Sequence, residues 1–143
     1  MAACQGGMAF SNSSVALVHG MSRPLGAVYH VPHGLSNAVL LPTVTKFSLD
    51  GVVARYAVIA RSMGLVGGNT NDEIAAHELI DGLVRLNEAL EIPRLRECVK
   101  VDRTTFENSL GKMAADALAS GSPQNNPVVP TIEQIITLYA EAW

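Results

Sequence analysis

Apolar side chains recur at helical spacing along most of this chain, and nowhere do they alternate over the run that a half-buried strand requires. The clearest case follows Asn69 to Asn71, which offer caps, while Asp72 and Glu73 favour a first turn. From there to about Glu91, Ile74, Leu79, Ile80, Leu83, Leu86 and Leu90 fall on one stripe and predict an amphipathic helix. Without strands there is no βαβ unit. Neither a G-x-G-x-x-G nor a Walker-type loop opens a helix after a strand, so the chain by itself has no nucleotide-phosphate cradle. The glycines of GLVGGN, 64–69, follow a helix and are expected to end it.

The other helices are marked by their punctuation. Residues 2–21 read as a first helix with a bulge near Asn12 to Ser14, whose side chains compete for backbone hydrogen bonds. Pro24 and Gly26 are expected to stop it, placing His19 in its last turn. Pro32 and Gly34 close the connection, and Ser36 or Asn37 caps a second helix that Pro42 would kink or break. A third helix is predicted from Leu49 to Met63. Pro93 interrupts the chain after the fourth, and a short turn is expected over 94–98. Asp102 or Thr104 opens a fifth helix through Ala119, 120–130 forms a loop, and Thr131 caps a last helix to the end. One all-α domain over 1–143 is expected.

Composition narrows the possible partners. With 143 residues, 48% apolar and 16% charged, the chain can bury a substantial core. Its formal charge is −3 and its ten Lys and Arg are scattered, so no basic face for nucleic acid or an anionic membrane is expected. The apolar runs are too short to span a bilayer, and the start resembles no secretory signal, so a cytoplasmic location is expected. Cys4 and Cys98 share no metal-binding or redox spacing.

The chemically distinctive stretch is LVHGMSRPLGAVYHVPHG, 17–34, with His19 and His33 on either side of a Pro- and Gly-marked turn. A chain reversal there can bring both imidazoles to one point, and neutral imidazole is the commonest transition-metal ligand. Two ligands alone do not complete a catalytic site, and spacing by itself favours hydrogen-bonded structural histidines over a metal site.

Residues 7–42, GMAFSNSSVALVHGMSRPLGAVYHVPHGLSNAVLLP, resemble the signature segment of the iron-containing (group III) alcohol dehydrogenases, and NNPVVPTIEQIITLYAEAW is similar to that family's ending. The resemblance implies the helical domain of the dehydroquinate synthase-like fold without the N-terminal α/β domain that binds NAD(P). It implies that His19 and His33 are two of four ligands to Fe²⁺ or Zn²⁺; an Asp and a His from an earlier helix supply the others. It further implies alcohol–aldehyde interconversion by hydride transfer on a small alcohol or aldehyde, in a homo-oligomer. Phe10 matches a substrate-pocket position. Its nine-residue separation from His19 puts it about half a turn away on an unbroken helix, so core packing is the simpler expectation. Arg23 stands where the family commonly has a proton-relaying histidine, and a guanidinium stays charged and cannot relay protons. Arg23 is therefore expected to contact cofactor or an anionic substrate, or to pair with a carboxylate, the relay passing elsewhere, through His30 or water. His77 is expected at the surface. The isolated chain is expected to have negligible activity; the alternative is an inactive helical module that self-associates.

Overall fold

The computed structural model describes residues 1–143, the side chains of Ala2 and Ala3 excepted. Eight α-helices follow one another: α1 (Ala2–Ser13), α2 (Leu17–Tyr29), α3 (His33–Ser48), α4 (Val53–Ser62), α5 (Asp72–Ala89), α6 (Leu95–Val99), α7 (Arg103–Ala119) and α8 (Ile132–Ala142). Single 3-10 turns occupy Leu49–Gly51 and Ser122–Asn125, and no strand occurs among the described residues. The all-α expectation is met.

The first predicted helix is in fact two, broken rather than bulged. Asn12 Nδ2 donates to the Met8 carbonyl at 2.7 Å and Ser13 Oγ to that of Ala9 at 2.8 Å, and Ser14 then turns to φ 67°. Such a φ is uncommon outside glycine and cannot continue a helix. A stop is expected at Pro24 and Gly26, yet α2 runs through both to Tyr29. Its packing explains this: Leu17, Met21, Pro24 and Leu25 are buried, and the Tyr139 hydroxyl donates to the Met21 carbonyl at 2.6 Å. The stop comes at His30, which adopts φ 56° and returns its N–H to the Gly26 carbonyl before Pro32 forbids further helix.

Pro42 does not break α3 either. A proline at 42 removes the amide that would normally donate to the carbonyl of residue 38. Asn87 of α5 supplies the missing donor, its Nδ2 lying 2.8 Å from the Ala38 oxygen. A side chain from another helix thus satisfies the carbonyl that the sequence leaves open. The helix also begins earlier than expected, at His33 with Pro32 before it, so Ser36 and Asn37 are interior residues instead of caps.

The main core joins α2, α3, α6, α7 and α8 through Leu17, Met21, Leu40, Leu95, Phe106 and Tyr139. The Phe106 ring stacks on Trp143 with centroids 4.4 Å apart, tying the last residue of the chain into this core. Asp102 and Thr131 cap α7 and α8 as expected, each accepting a backbone N–H three residues on. A second seam joins α4 to α5, where Ala57, Ala60 and Ala75 pack with Leu79; small side chains allow the two helices to lie close. The predicted 49–63 helix is divided into a 3-10 turn and α4. On α5, Asn71 caps as expected, its Oδ1 accepting the Glu73 N–H at 2.8 Å, but the stripe is only partly buried. Leu79 and Ile80 enter the cores, whereas Ile74, Leu86 and Leu90 stay exposed. The expected turn at 94–98 is α6, and the 120–130 loop contains the second 3-10 turn.

Candidate metal centre

His19 and His33 reach one place from two helices. His19 lies in the first turn of α2, since the break at Ser14 moves the helix start to Leu17; it is not in a last turn, as the sequence suggests. His33 is the first residue of α3, so only His30 to Pro32 separate the two helices. Because α2 packs directly on α3, the two imidazoles meet with ring centroids 5.2 Å apart and planes tilted by 56°. The ε nitrogens turn toward a common neighbour. Asn37, one helical turn after His33, places its Nδ2 3.2 Å from His33 Nε2 and 3.5 Å from His19 Nε2.

The electrostatics suit a ligand pair. His19 is half-buried, and its imidazole is held below the usual histidine range, first by desolvation, then by His33 and the Arg23 charge. Neutral imidazole is the form that binds a cation. Asn37 Oδ1, meanwhile, is buried without a hydrogen-bond partner. A buried acceptor without a partner is uncommon in a folded protein. The donor set therefore fits part of a divalent-cation sphere: two imidazoles held on rigid helix ends and facing one point. No third His, Cys, Asp or Glu joins them among the described residues.

Of the remaining candidates, only Arg23 lies near enough for its charge to act on His19. Arg23 is exposed and its Nη1 donates to Ser122 Oγ at 3.1 Å, linking α2 to the second 3-10 turn. No carboxylate pairs with it among the described residues. Phe10 on α1 is 54% exposed, which overturns the expectation that it packs in the core. His30 forms the exposed end of α2, and His77 lies exposed on α5 as expected. Both cysteines are free thiols, Cys4 exposed and Cys98 half-buried, where burial and the Glu97 charge raise the thiol above its ordinary range.

Two residues of the site escape sequence reasoning. Ser22, fully buried, has its Oγ 3.2 Å from the His19 carbonyl and 3.3 Å from His33 Nδ1. Asn37 reads in the sequence only as a cap. The signal that could have found both is spacing: Ser22 is three residues after His19 and Asn37 four after His33, each one helical turn from a ligand candidate.

The comparisons with known proteins place the chain in a family. The family profile described as "Fe-containing alcohol dehydrogenase family, C-terminal" matches residues 1–143. Lactaldehyde reductase of Escherichia coli K12 is 38% identical over 137 residues, covering 96% of this chain and 35% of that protein. The NADPH-dependent butanol dehydrogenase of Clostridium saccharobutylicum is 36% identical over 126 residues, covering 88% of this chain and 32% of that protein. Among solved structures, a 1,3-propanediol oxidoreductase superposes with a TM-score of 0.88 at 33% identity, over 96% of this chain and 35% of that one. The alcohol dehydrogenase from Oenococcus oeni gives 0.86 at 32% identity, with the same coverage of 96% and 35%. The chain thus spans about a third of the length of the curated relatives it matches. No helix among the described residues is long and apolar enough to cross a membrane. With the profile matched from first residue to last and the helices superposing on the corresponding part of solved relatives, this chain belongs to the Fe-containing alcohol dehydrogenase family, as its C-terminal helical portion.

Proposed function

We propose that this chain is the metal-holding helical part of an NAD(P)-linked alcohol or aldehyde oxidoreductase, with His19 and His33 as two ligands of a divalent cation, Fe²⁺ or Zn²⁺. The observation that carries this reading is the convergence of both ε nitrogens on one point in a chain matched by the family throughout. A cation held there supplies Lewis acidity to a substrate oxygen. The chain's own residues hold and orient the ligand rings. α2 and α3 present them from opposite sides of a three-residue connection, which limits their freedom before any ion arrives. Partial burial favours the neutral form of His19, the form competent to bind.

Arg23, four residues after His19, presents a permanent positive charge beside the site and so suits an anionic part of cofactor or substrate better than proton transfer. Phe10, exposed on α1, is assigned to the substrate side on the strength of its family position and its freedom from the core. Hydride transfer needs a cofactor held next to the substrate, and the dinucleotide-binding elements of the family are not among these helices. The chain alone is therefore expected to bind metal weakly and to turn over little substrate.

The test is metal titration of the purified chain by calorimetry, with Zn²⁺ or anaerobic Fe²⁺. Both His19→Ala and His33→Ala are expected to abolish binding, and nicotinamide absorbance should show negligible turnover of small alcohols. Wild-type affinity in either variant would overturn the assignment.

A second reading is supported by a separate feature. Val58 and Ile59 on α4 are 58% and 43% exposed and, with Ala54 and Arg55, line a mainly apolar hollow. Such a surface favours association, in line with a self-associating module; a monomer in gel filtration at all concentrations would exclude it.

A further inference from the structure

We propose that Ser22 is a positioning residue whose hydroxyl fixes His33 as the Nδ1–H tautomer, leaving the Nε2 lone pair directed to the point shared with His19. Proton accounting leads to this assignment. A serine hydroxyl carries one proton and two acceptor sites. Ser22 Oγ has two neighbours, the His19 carbonyl oxygen at 3.2 Å and His33 Nδ1 at 3.3 Å. The carbonyl can only accept. If the hydroxyl donates to it, Ser22 is left as acceptor for a proton on His33 Nδ1, and all three groups are satisfied.

The reverse arrangement fails on the other side of the ring. Were Ser22 to donate to Nδ1, the proton of neutral His33 would sit on Nε2, facing the Asn37 Nδ2 at 3.2 Å, a donor against a donor. Turning the Asn37 amide over would relieve that contact, but it would bury an NH₂ at the place where Oδ1 now lies without a partner. That exchanges one unsatisfied acceptor for two unsatisfied protons. The contacts of Ser22 and Asn37 therefore select one tautomer from opposite edges of the imidazole.

Burial makes the selection effective. Ser22 is fully buried and sits one helical turn after His19, so the hydroxyl cannot exchange its partners for water. It joins the two ligand candidates through a single atom: the backbone of one and the side chain of the other. Helix α2 thereby carries His19 itself and also the group that orients the ring contributed by α3. A hydrogen bond to the distal nitrogen is the usual means by which a protein sets which imidazole nitrogen is free to bind.

Only the metal arm of this proposal rests on reading His33 as a ligand, and the experiment separates the two. The chain is labelled with ¹⁵N and its imidazole nitrogens are followed by long-range ¹H–¹⁵N correlation near about pH 8, where histidine is neutral. His33 is expected to show a protonated Nδ1 and a bare Nε2. In Ser22→Ala the Nε2–H population of His33 should rise, while Ser22→Thr, which keeps a hydroxyl, should retain the wild-type pattern. Cobalt(II) titration followed by its visible absorption should show affinity about 10–100-fold weaker in Ser22→Ala and near wild type in Ser22→Thr.

A wild-type His33 protonated on Nε2, or an unchanged tautomer ratio in a folded Ser22→Ala, overturns the proposal. If Ser22→Ala does not fold, the wild-type spectrum alone decides. Should the tautomers behave as expected while cobalt fails to bind the wild-type chain, the ligand assignment falls and the role of Ser22 stands.

Discussion

The pairing of Asn87 with the carbonyl that Pro42 leaves open predicts an energetic coupling between residues on different helices. In Asn87→Ala the 2.8 Å hydrogen bond to Ala38 is lost and the carbonyl, in a half-buried seam, has no amide to replace it. The expected cost is about 1–2 kcal/mol, between the net value of a hydrogen bond and the penalty for a buried orphan. With an unfolding entropy of roughly 2.1 cal/mol/K per residue, a chain of 143 residues should lose about 3–7 °C in Tm. The same substitution made in Pro42→Ala should cost much less, because alanine at 42 restores the amide that donates to residue 38. Helix-propensity changes at 87 and 42 occur in both backgrounds and cancel in the cycle. Urea or thermal unfolding of the four chains, followed by circular dichroism, should give a coupling of about 1 kcal/mol. If Asn87→Ala costs the same in both backgrounds, within about 0.3 kcal/mol, Asn87 is not what permits Pro42 inside α3.

Three further outcomes are expected. A Cβ at Gly20 would sit 3.0 Å from two ring carbons of the buried Pro123, whereas one at Gly111 meets nothing within 4 Å. Gly111→Ala should therefore raise Tm by about 2–3 °C through helix propensity, with Gly20→Ala about 3–10 °C below it; equal shifts would show that α2 is not seated against that proline. Tyr139, whose phenol is raised above its ordinary range by burial and secondarily by Asp116, should lose about 1 kcal/mol on replacement by Phe as the bond to Met21 disappears; an unchanged urea midpoint refutes this. Asp102 is held below the ordinary carboxylate range, chiefly by the Thr105 hydroxyl and then by its backbone N–H. Stability that depends on its charge is present above that range and lost as pH falls through the lowered pKa. Asp102→Asn should accordingly show a smaller fall in Tm than wild type between about pH 4.5 and 2.5, and parallel curves would contradict the assignment.

Helix ends with a side-chain cap are legible in the order of residues alone. Asn71, Asp102 and Thr131 all cap where their positions indicate, because an N-cap is a contact made within three residues and depends little on the rest of the fold. Helix interruptions are not legible in the same way. Ser14 breaks a helix expected only to bulge, while Pro24, Gly26 and Pro42 fail to interrupt theirs. The three failures turn on distant partners: buried packing and Tyr139 for α2, Asn87 for α3. The α5 stripe likewise reads as one buried face, yet Ile74, Leu86 and Leu90 remain exposed, because periodicity shows which side is apolar and not what covers it.

The sequence by itself determined that the chain is helical, where its capped helices begin, and that His19 and His33 flank a reversal; these are local properties of spacing, caps and glycine–proline chemistry. Only the tertiary structure decided that both rings turn their ε nitrogens toward Asn37, and that Ser22 lies between them. The reason is distance along the chain: these contacts join residues on two packed helices, and their geometry is set by the shared core under those helices, which no local pattern specifies.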